Sequence, residues 1–326
     1  MIDPVIKKNL RIIEGEIRRQ RFGKEPQSLY EPIRYIMGLG GKRLRPMLTL
    51  LAYQLYRSDV ERVAQYAVAV EAFHNFTLMH DDIMDKAPLR RGKPTVHQKW
   101  NTNTAILSGD VMLVKVYEMF RTLDPEKFAD VVGVFNVCAA EVCEGQQWDM
   151  DFEARTSVTE AEYLKMIRLK TAVLLGFSLE LGAMLADAPK SDRKALREFG
   201  IAVGMGFQLK DDLLDAFADP DVFGKQTGGD ILANKKTFLL IKALERARGK
   251  NKTNLKYWLE AKRFRKAEKV NAVKEIYENL GIPSITERRI NSYFRRGFRL
   301  LDSVSGREEA KEVLSSYTHA LIARIS

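Results

Sequence analysis

The chain has 326 residues, 45% hydrophobic and 29% charged, a composition with ample core that excludes a disordered or fibrous class. Its 53 basic and 43 acidic residues leave a net charge of +10, so anionic partners are expected. No run approaches the ~18 apolar residues needed to span a bilayer, and the N-terminus lacks an apolar signal core, so a cytoplasmic protein without a transmembrane segment is expected.

The ten prolines and 21 glycines are scattered, and no linker divides the chain, which reads as one domain over 1–326. Ile6 to Arg19 has the three- and four-residue apolar spacing of an amphipathic helix, and Leu29 to Met37 is a second, short one. Gly38-Leu39-Gly40-Gly41-Lys42-Arg43-Leu44-Arg45-Pro46 follows. Its glycines free the backbone to approach a ligand, and its three cations within four residues suit a diphosphate. The bland alternative is a helix C-cap with a solvated basic turn.

Pro46 to Tyr56 and Val60 to Met79 are apolar helices, and the second carries His74, which on its own reads as a core histidine. It runs into Met79-His80-Asp81-Asp82-Ile83-Met84-Asp85. At 3.6 residues per turn Asp81 and Asp85 share a helix face, where like charges repel unless a cation sits between them. Oxygen-only ligands at that spacing suit Mg²⁺. The competing reading is a solvated acidic patch. Pro88 and Gly92 then break the helix and bring Arg90 and Arg91 beside the carboxylates.

Ala105 to Met119 and Phe128 to Glu144 read as apolar helices, the latter ending at Gly145-Gln146-Gln147-Trp148-Asp149. Asp110 is expected to be a helix cap or a core hydrogen-bonding residue. Cys138 and Cys143 have no partners at metal-ligand spacing and are expected to be buried thiols in a reducing compartment. Ser157 and Glu160 have capping-box spacing before a helix that carries Lys170-Thr171. Phe207-Gln208-Leu209-Lys210-Asp211-Asp212-Leu213-Leu214-Asp215 then repeats the Asp-Asp-x-x-Asp pattern behind another apolar helical run. Two copies favour two carboxylate-bearing helices that face each other across a cleft and bridge a polyphosphate through metal ions. Asp219 to Asp230 is turn-rich, Asn234 to Thr237 opens a helix, and residues 252–300 are strongly basic on amphipathic helices, read mainly as solvated faces, with an anionic partner or a membrane surface as the alternative. No strand-like alternation of useful length appears, so the fold class is all-α.

The paired aspartate motifs, with the Gly-Gly-Lys-x-x-Arg-Pro loop, resemble the trans-polyprenyl diphosphate synthases, and the resemblance spans nearly the whole chain. It implies an isoprenoid-synthase helical bundle around a central cavity. It also implies head-to-tail condensation of isopentenyl diphosphate with dimethylallyl, geranyl or farnesyl diphosphate, and a homodimer. Asp81, Asp85, Asp211 and Asp215 would hold three Mg²⁺ ions on the allylic diphosphate. Lys42, Arg45, His74 and Arg91 would contact isopentenyl diphosphate. Arg90, Lys170, Lys225 and Lys235 would contact the allylic diphosphate, Thr171 and Gln208 would turn oxygen dipoles toward the allylic cation, and Gln146 and Asp149 would line the cavity. The departed diphosphate is the family's usual proton acceptor, and a basic C-terminal tail found in the family is not evident after Ile325.

Phe76 lies about 7.5 Å before Asp81 on a helix, with Phe73 one turn further, so the two rings are expected to stack as the floor that limits product length. An aromatic at position 76 with Thr77 after it resembles the archaeal-type geranylgeranyl diphosphate pattern, with farnesyl diphosphate or longer chains as alternatives. A terpene cyclase would lack the second aspartate motif and the Lys42/Arg45 loop, and a non-catalytic subunit would have lost aspartates. A nucleic-acid-binding protein would not need paired carboxylates and is not expected.

Overall fold

The computed structural model describes residues 3–218 and 227–323 and is helical nearly throughout. Helix α1 spans Pro4–Arg19; the Asp3 carboxylate accepts from Val5 N–H at 2.7 Å, a proline opens the helix, and Arg18 and Arg19 sit in its last turn. Then come α2 (Gln27–Gly38), α3 (Leu44–Gln54), α4 (Ala64–Met84) and the two-residue strands β1 (Leu89–Arg90) and β2 (Lys93–Pro94), paired antiparallel with Leu89 opposite Pro94. After them run α5 (Val96–Lys99), α6 (Thr102–Phe120), α7 (Pro125–Ala154), α8 (Glu160–Ile167), a π-helical turn at Arg168–Ala172, α9 (Val173–Leu185) and α10 (Lys190–Phe217). The chain closes with α11 (Gly229–Leu232), α12 (Phe238–Arg246), α13 (Gly249–Glu260), α14 (Lys266–Asn279), α15 (Ile282–Asp302) and α16 (Glu308–Ala323).

The described residues form two compact units, one from 3–138, 177–197 and 303–317 and the other from 139–176, 198–218, 227–302 and 318–323. In the first unit α4 is the axis: α1, α2, α3 and α6 all pack on it. Ala67, Val68, Ala69, Val70 and Ala72 are fully buried around that axis, so the helix shows little apolar–polar asymmetry and is a core helix. Below its aspartates lies an aromatic nucleus in which Phe73 meets Phe135 edge-on at 5.0 Å, and Phe135 in turn meets Phe120 and Phe177. Among the described residues of the second unit, two apolar clusters stand out. One surrounds Tyr163, Leu209, Phe238 and Phe294; the other surrounds Leu240, Leu255, Val273 and Tyr277.

Several local expectations change. The capping box is Thr159 with Glu162, not Ser157 with Glu160: the Thr159 hydroxyl accepts from Glu162 N–H, and the Glu162 carboxylate accepts from Thr159 N–H at 2.8 Å. Helix α7 does not end before Gly145 but continues to Ala154. A Cβ on Gly145 would lie 2.1 Å from the backbone nitrogen of Lys170, so this glycine gives two backbones room to touch rather than ending a helix. Cys138 is buried as expected but Cys143 is exposed, and Asp110 is neither cap nor core: its side chain is 59% exposed, 3.9 Å from His80.

Candidate active site

In the first unit the loop before α3 and the end of α4 build a cationic cluster. Of the three cations in Lys42-Arg43-Leu44-Arg45, the middle one belongs to the core. Arg43 is 2% exposed, takes a left-handed backbone (φ 46°), and donates to Glu14 at 2.8 Å, to Glu71 at 2.9 Å and to the Met37 carbonyl at 2.8 Å. Burial lowers its pKa, but the two carboxylates outweigh that and raise it. Lys42 is exposed and Arg45 half-buried. The Arg45 guanidinium is drawn down to about 10, first by burial and then in part by Arg91; among the described residues its Nε–H has no hydrogen-bond partner.

His74 lies in the same field. Burial first, and then Arg45, Arg91, Arg90 and Arg43, hold its pKa well below the usual histidine value, so it is a neutral imidazole near pH 7. Arg91, with a left-handed backbone (φ 53°), donates to the Gly40 carbonyl and lies so near Gly41 (φ 128°) that a Cβ there would meet its guanidinium at 2.7 Å. Gly41 therefore makes room for the Arg91 side chain. Burial and the neighbouring Arg43 and Arg90 lower the Arg91 pKa, while Glu71 opposes them. Together these are a set of cations under mutual repulsion, with one orphaned donor, which is the electrostatic signature of an anion site.

The first aspartate motif ends α4. Asp81 and Asp82 lie in its last turn and Asp85 at its C-cap, the negative pole of the helix dipole, where carboxylates are disfavoured. Asp82 is 2% exposed and grips Arg90 through two oxygens, with Nε at 2.8 Å and Nη2 at 2.7 Å; Arg90 is also 3.8 Å from Asp81. Arg90 is thus aimed by the motif's middle residue, and its pKa is raised despite burial, chiefly by Asp82. Phe76 is half-buried and its ring meets Phe73 at 5.7 Å, tilted by 39° rather than stacked, and His80 at 4.8 Å. Phe73 is 1% exposed and anchored in the aromatic nucleus, so of the two rings it is the core residue.

In the second unit the π-helical turn holds both Lys170 and Thr171. Lys170 Nζ pairs with Asp149 at 2.6 Å. A hydrogen-bonded chain, buried at its Tyr163 end, runs from the Tyr163 hydroxyl to Asp212, from the Gln208 amide to Asp212 at 3.2 Å, and from the Thr171 hydroxyl to the Gln208 carbonyl at 3.3 Å. Asp211 is exposed on the same helix and Asp215 half-buried. Asp215 accepts from the Asp230 backbone N–H at 2.9 Å and gives its own carbonyl to Gly228 N–H at 2.6 Å, which fixes the start of α11. Lys235 is exposed and lines a cavity of about 380 Å³ with Asp149, Phe152 and Asn234. Gln146 is half-buried on α7. Lys225 lies outside the described residues.

Carboxylates crowd this unit. Asp212 is pushed up to about 7, by burial first and by Asp230. Asp230, singled out by no motif in the sequence, is pushed up to about 6 by burial and by Asp215, Asp211 and Asp149, against the pull of Lys235. A cation would relieve this repulsion, and the donors on offer are all oxygen, so the residues fit a hard divalent ion. Among the described residues no three such side chains converge on one point. Mg²⁺ does not require that, since it is ordinarily bound by one or two carboxylates together with phosphate oxygens and water.

Comparison with known proteins shows the family. The family model described as Polyprenyl synthetase matches residues 26–280. A protein of Geoglobus acetivorans named geranylgeranyl pyrophosphate synthase is 43% identical over 247 residues, 75% of this chain and 77% of its own. A geranylfarnesyl diphosphate synthase of Natronomonas pharaonis is 38% identical over 260 residues, covering 74% and 76%. A crystal structure of a geranylgeranyl pyrophosphate synthase superposes with a TM-score of 0.94 at 43% identity over 98% of this chain and 99% of that one. The all-α architecture, the two aspartate motifs and the match over most of its length place this chain in the polyprenyl synthetase family of trans-prenyltransferases.

Proposed function

We propose that the chain condenses isopentenyl diphosphate with allylic diphosphates up to geranylgeranyl diphosphate, in a Mg²⁺-dependent reaction. The observation that carries this reading is the cluster of Arg45, Arg91 and neutral His74 beside the carboxylates that end α4: an anion site and a metal-type site on one helix and its adjoining loops. Lys42, Arg45, His74 and Arg91 bind isopentenyl diphosphate. Arg90, aimed by Asp82, and Lys170, held by Asp149, place fixed positive charge on the allylic leaving group, with Lys225 and Lys235 assisting. Asp81, Asp85, Asp211 and Asp215 would hold Mg²⁺, three ions on the family pattern. Bound there, the ions neutralise the diphosphate so that the carbon–oxygen bond ionises. Thr171 and Gln208, tied to each other, present oxygen dipoles to the allylic cation; the double bond of isopentenyl diphosphate attacks it, and the proton then lost from the new cation goes to the departed diphosphate, the family's usual acceptor.

Splitting the two diphosphate sites tests this assignment. Lys42→Ala and Arg45→Ala should mainly raise KM for isopentenyl diphosphate, and Lys170→Ala should act on the allylic substrate. Steady-state kinetics with each substrate varied decides it, and a Lys42 variant impaired only toward the allylic substrate would contradict the split.

Product length rests on Phe76. Of the two rings below the aspartates it is the half-buried one, whereas Phe73 is held by Phe135. Phe76→Ala should lengthen the product by at least one five-carbon unit and Phe73→Ala should do so less, read by mass spectrometry. An unchanged distribution in the Phe76 variant would remove this ring as the floor.

A homodimer goes with the reading, because α6 and α7 leave Leu107 (58% exposed), Val114 (56%) and Val137 (53%) on their surfaces. Sedimentation at micromolar concentration should give about twice 37.2 kDa; monomer alone would refute it. The single-domain reading is supported by the continuity of α7, α9 and α10, each of which contributes residues to both units. We place the enzyme in a reducing, cytoplasmic setting, in which the thiols of Cys138 and Cys143 would stay reduced. No described helix is long and apolar enough to cross a membrane.

A further inference from the structure

Residues 248–266 carry Arg248, Lys250, Lys252, Lys256, Lys262, Arg263, Arg265 and Lys266 against Glu260 alone, a local balance of eight cations to one anion. All eight cations are exposed. The catalytic assignment uses none of them. The segment is the N-cap Arg248, α13, the loop after it and the first residue of α14. On α13 the inward side is set by buried Leu255, so Lys250, Thr253 and Tyr257, at three- and four-residue steps, share the outward face. Tyr257, an amphipathic ring on that outward face, is 61% exposed.

This surface is tied to the proposed site rather than remote from it. Asn234 donates to the Leu259 carbonyl at the end of α13 at 3.0 Å. Lys269 of α14, itself 1% exposed, donates to Asn234 at 2.7 Å and to the Leu232 carbonyl at 3.4 Å. The loop gripped in this way carries Lys235 and borders the cavity shared with Asp149.

We infer that residues 248–266 are a peripheral docking surface for an anionic lipid bilayer. Each exposed Lys or Arg near such a surface favours binding by roughly fivefold, and tyrosine is a side chain that settles at the membrane–water interface. The choice of a bilayer rests on the proposed product, whose twenty-carbon tail partitions into lipid while its diphosphate stays in water. Docking beside the loop that carries Lys235 would deliver that amphiphile to its solvent.

The test uses the full-length protein without substrates, co-sedimented with phosphatidylcholine vesicles with and without a third of phosphatidylglycerol. The parent should bind the anionic vesicles at least tenfold more tightly, and raised salt should abolish the difference. Lys262→Glu/Arg263→Glu/Arg265→Glu/Lys266→Glu should lose that preference while keeping helical content and basal turnover, and the milder Gln versions should lose it in part. Equal binding to both vesicle types, or undiminished binding by the Glu variant, overturns the proposal. So does tighter binding of a random-sequence RNA duplex than of anionic vesicles at the same salt, which would make nucleic acid the partner. Because the vesicle measurement involves no turnover, a product other than geranylgeranyl diphosphate would overturn the catalytic reading without touching this result.

Discussion

Asp81→Ala and Asp211→Ala are each expected to lower kcat by at least ~10², the scale for losing one preorganised electrostatic contact to the transition state. The fold should not suffer. Asp81 sits at the negative end of α4, where its charge opposes the helix dipole, and its contact with Arg90 is a loose 3.8 Å while Asp82 keeps the two-oxygen grip. Asp211 is exposed, and its removal relieves one of the charges that push Asp230 upward. Thermal midpoints should therefore stay level or rise while turnover collapses, a combination that a merely structural role does not produce. EDTA should abolish turnover of the parent and Mg²⁺ restore it. Near-normal rates in both variants would remove the motifs from the chemistry.

Arg43→Ala should have the largest effect on stability, about 3–5 kcal/mol, because it strands a partner carboxylate in the core. Glu71 is 2% exposed and takes its ion pair from Arg43 at 2.9 Å; Glu14 and the Met37 carbonyl lose their donor as well. Arg43→Met combined with Glu71→Leu should recover most of that loss, since an apolar pair of similar volume removes both charges together. Denaturant titration of the single and double variants checks this. A loss under about 1 kcal/mol in Arg43→Ala would mean that the pair is not what fixes the turn before α3. The same argument explains why Lys42 and Arg45, not the arginine between them, are left for a ligand.

Much of this was legible in the sequence because the chemistry is local. Asp81 and Asp85, or Asp211 and Asp215, are brought together by helical spacing alone, and the glycines and cations before Pro46 declare an anion-binding turn. The rest depended on tertiary contacts that no spacing reveals. Arg43 looks like its neighbours until Glu71, one turn before Asn75 on α4, is seen buried against it. Gly145 reads as a helix stop until the backbone of Lys170 is found against it, and the π-helical turn that carries Lys170 and Thr171 has no propensity signature. Asp230 gave only a turn-rich context, although its backbone N–H binds the last aspartate of the second motif. Phe73 and Phe76 share a helix face by periodicity, and it is Phe135, far along the chain, that marks Phe73 as the core ring.

The most direct test of the account is the product itself. Purified protein is incubated with isopentenyl diphosphate, dimethylallyl diphosphate and Mg²⁺, and the dephosphorylated products are sized by mass spectrometry. The account predicts all-trans geranylgeraniol as the main product, none of it in the presence of EDTA. A main product of fifteen carbons or of twenty-five and above, or turnover that persists without divalent metal, would contradict it.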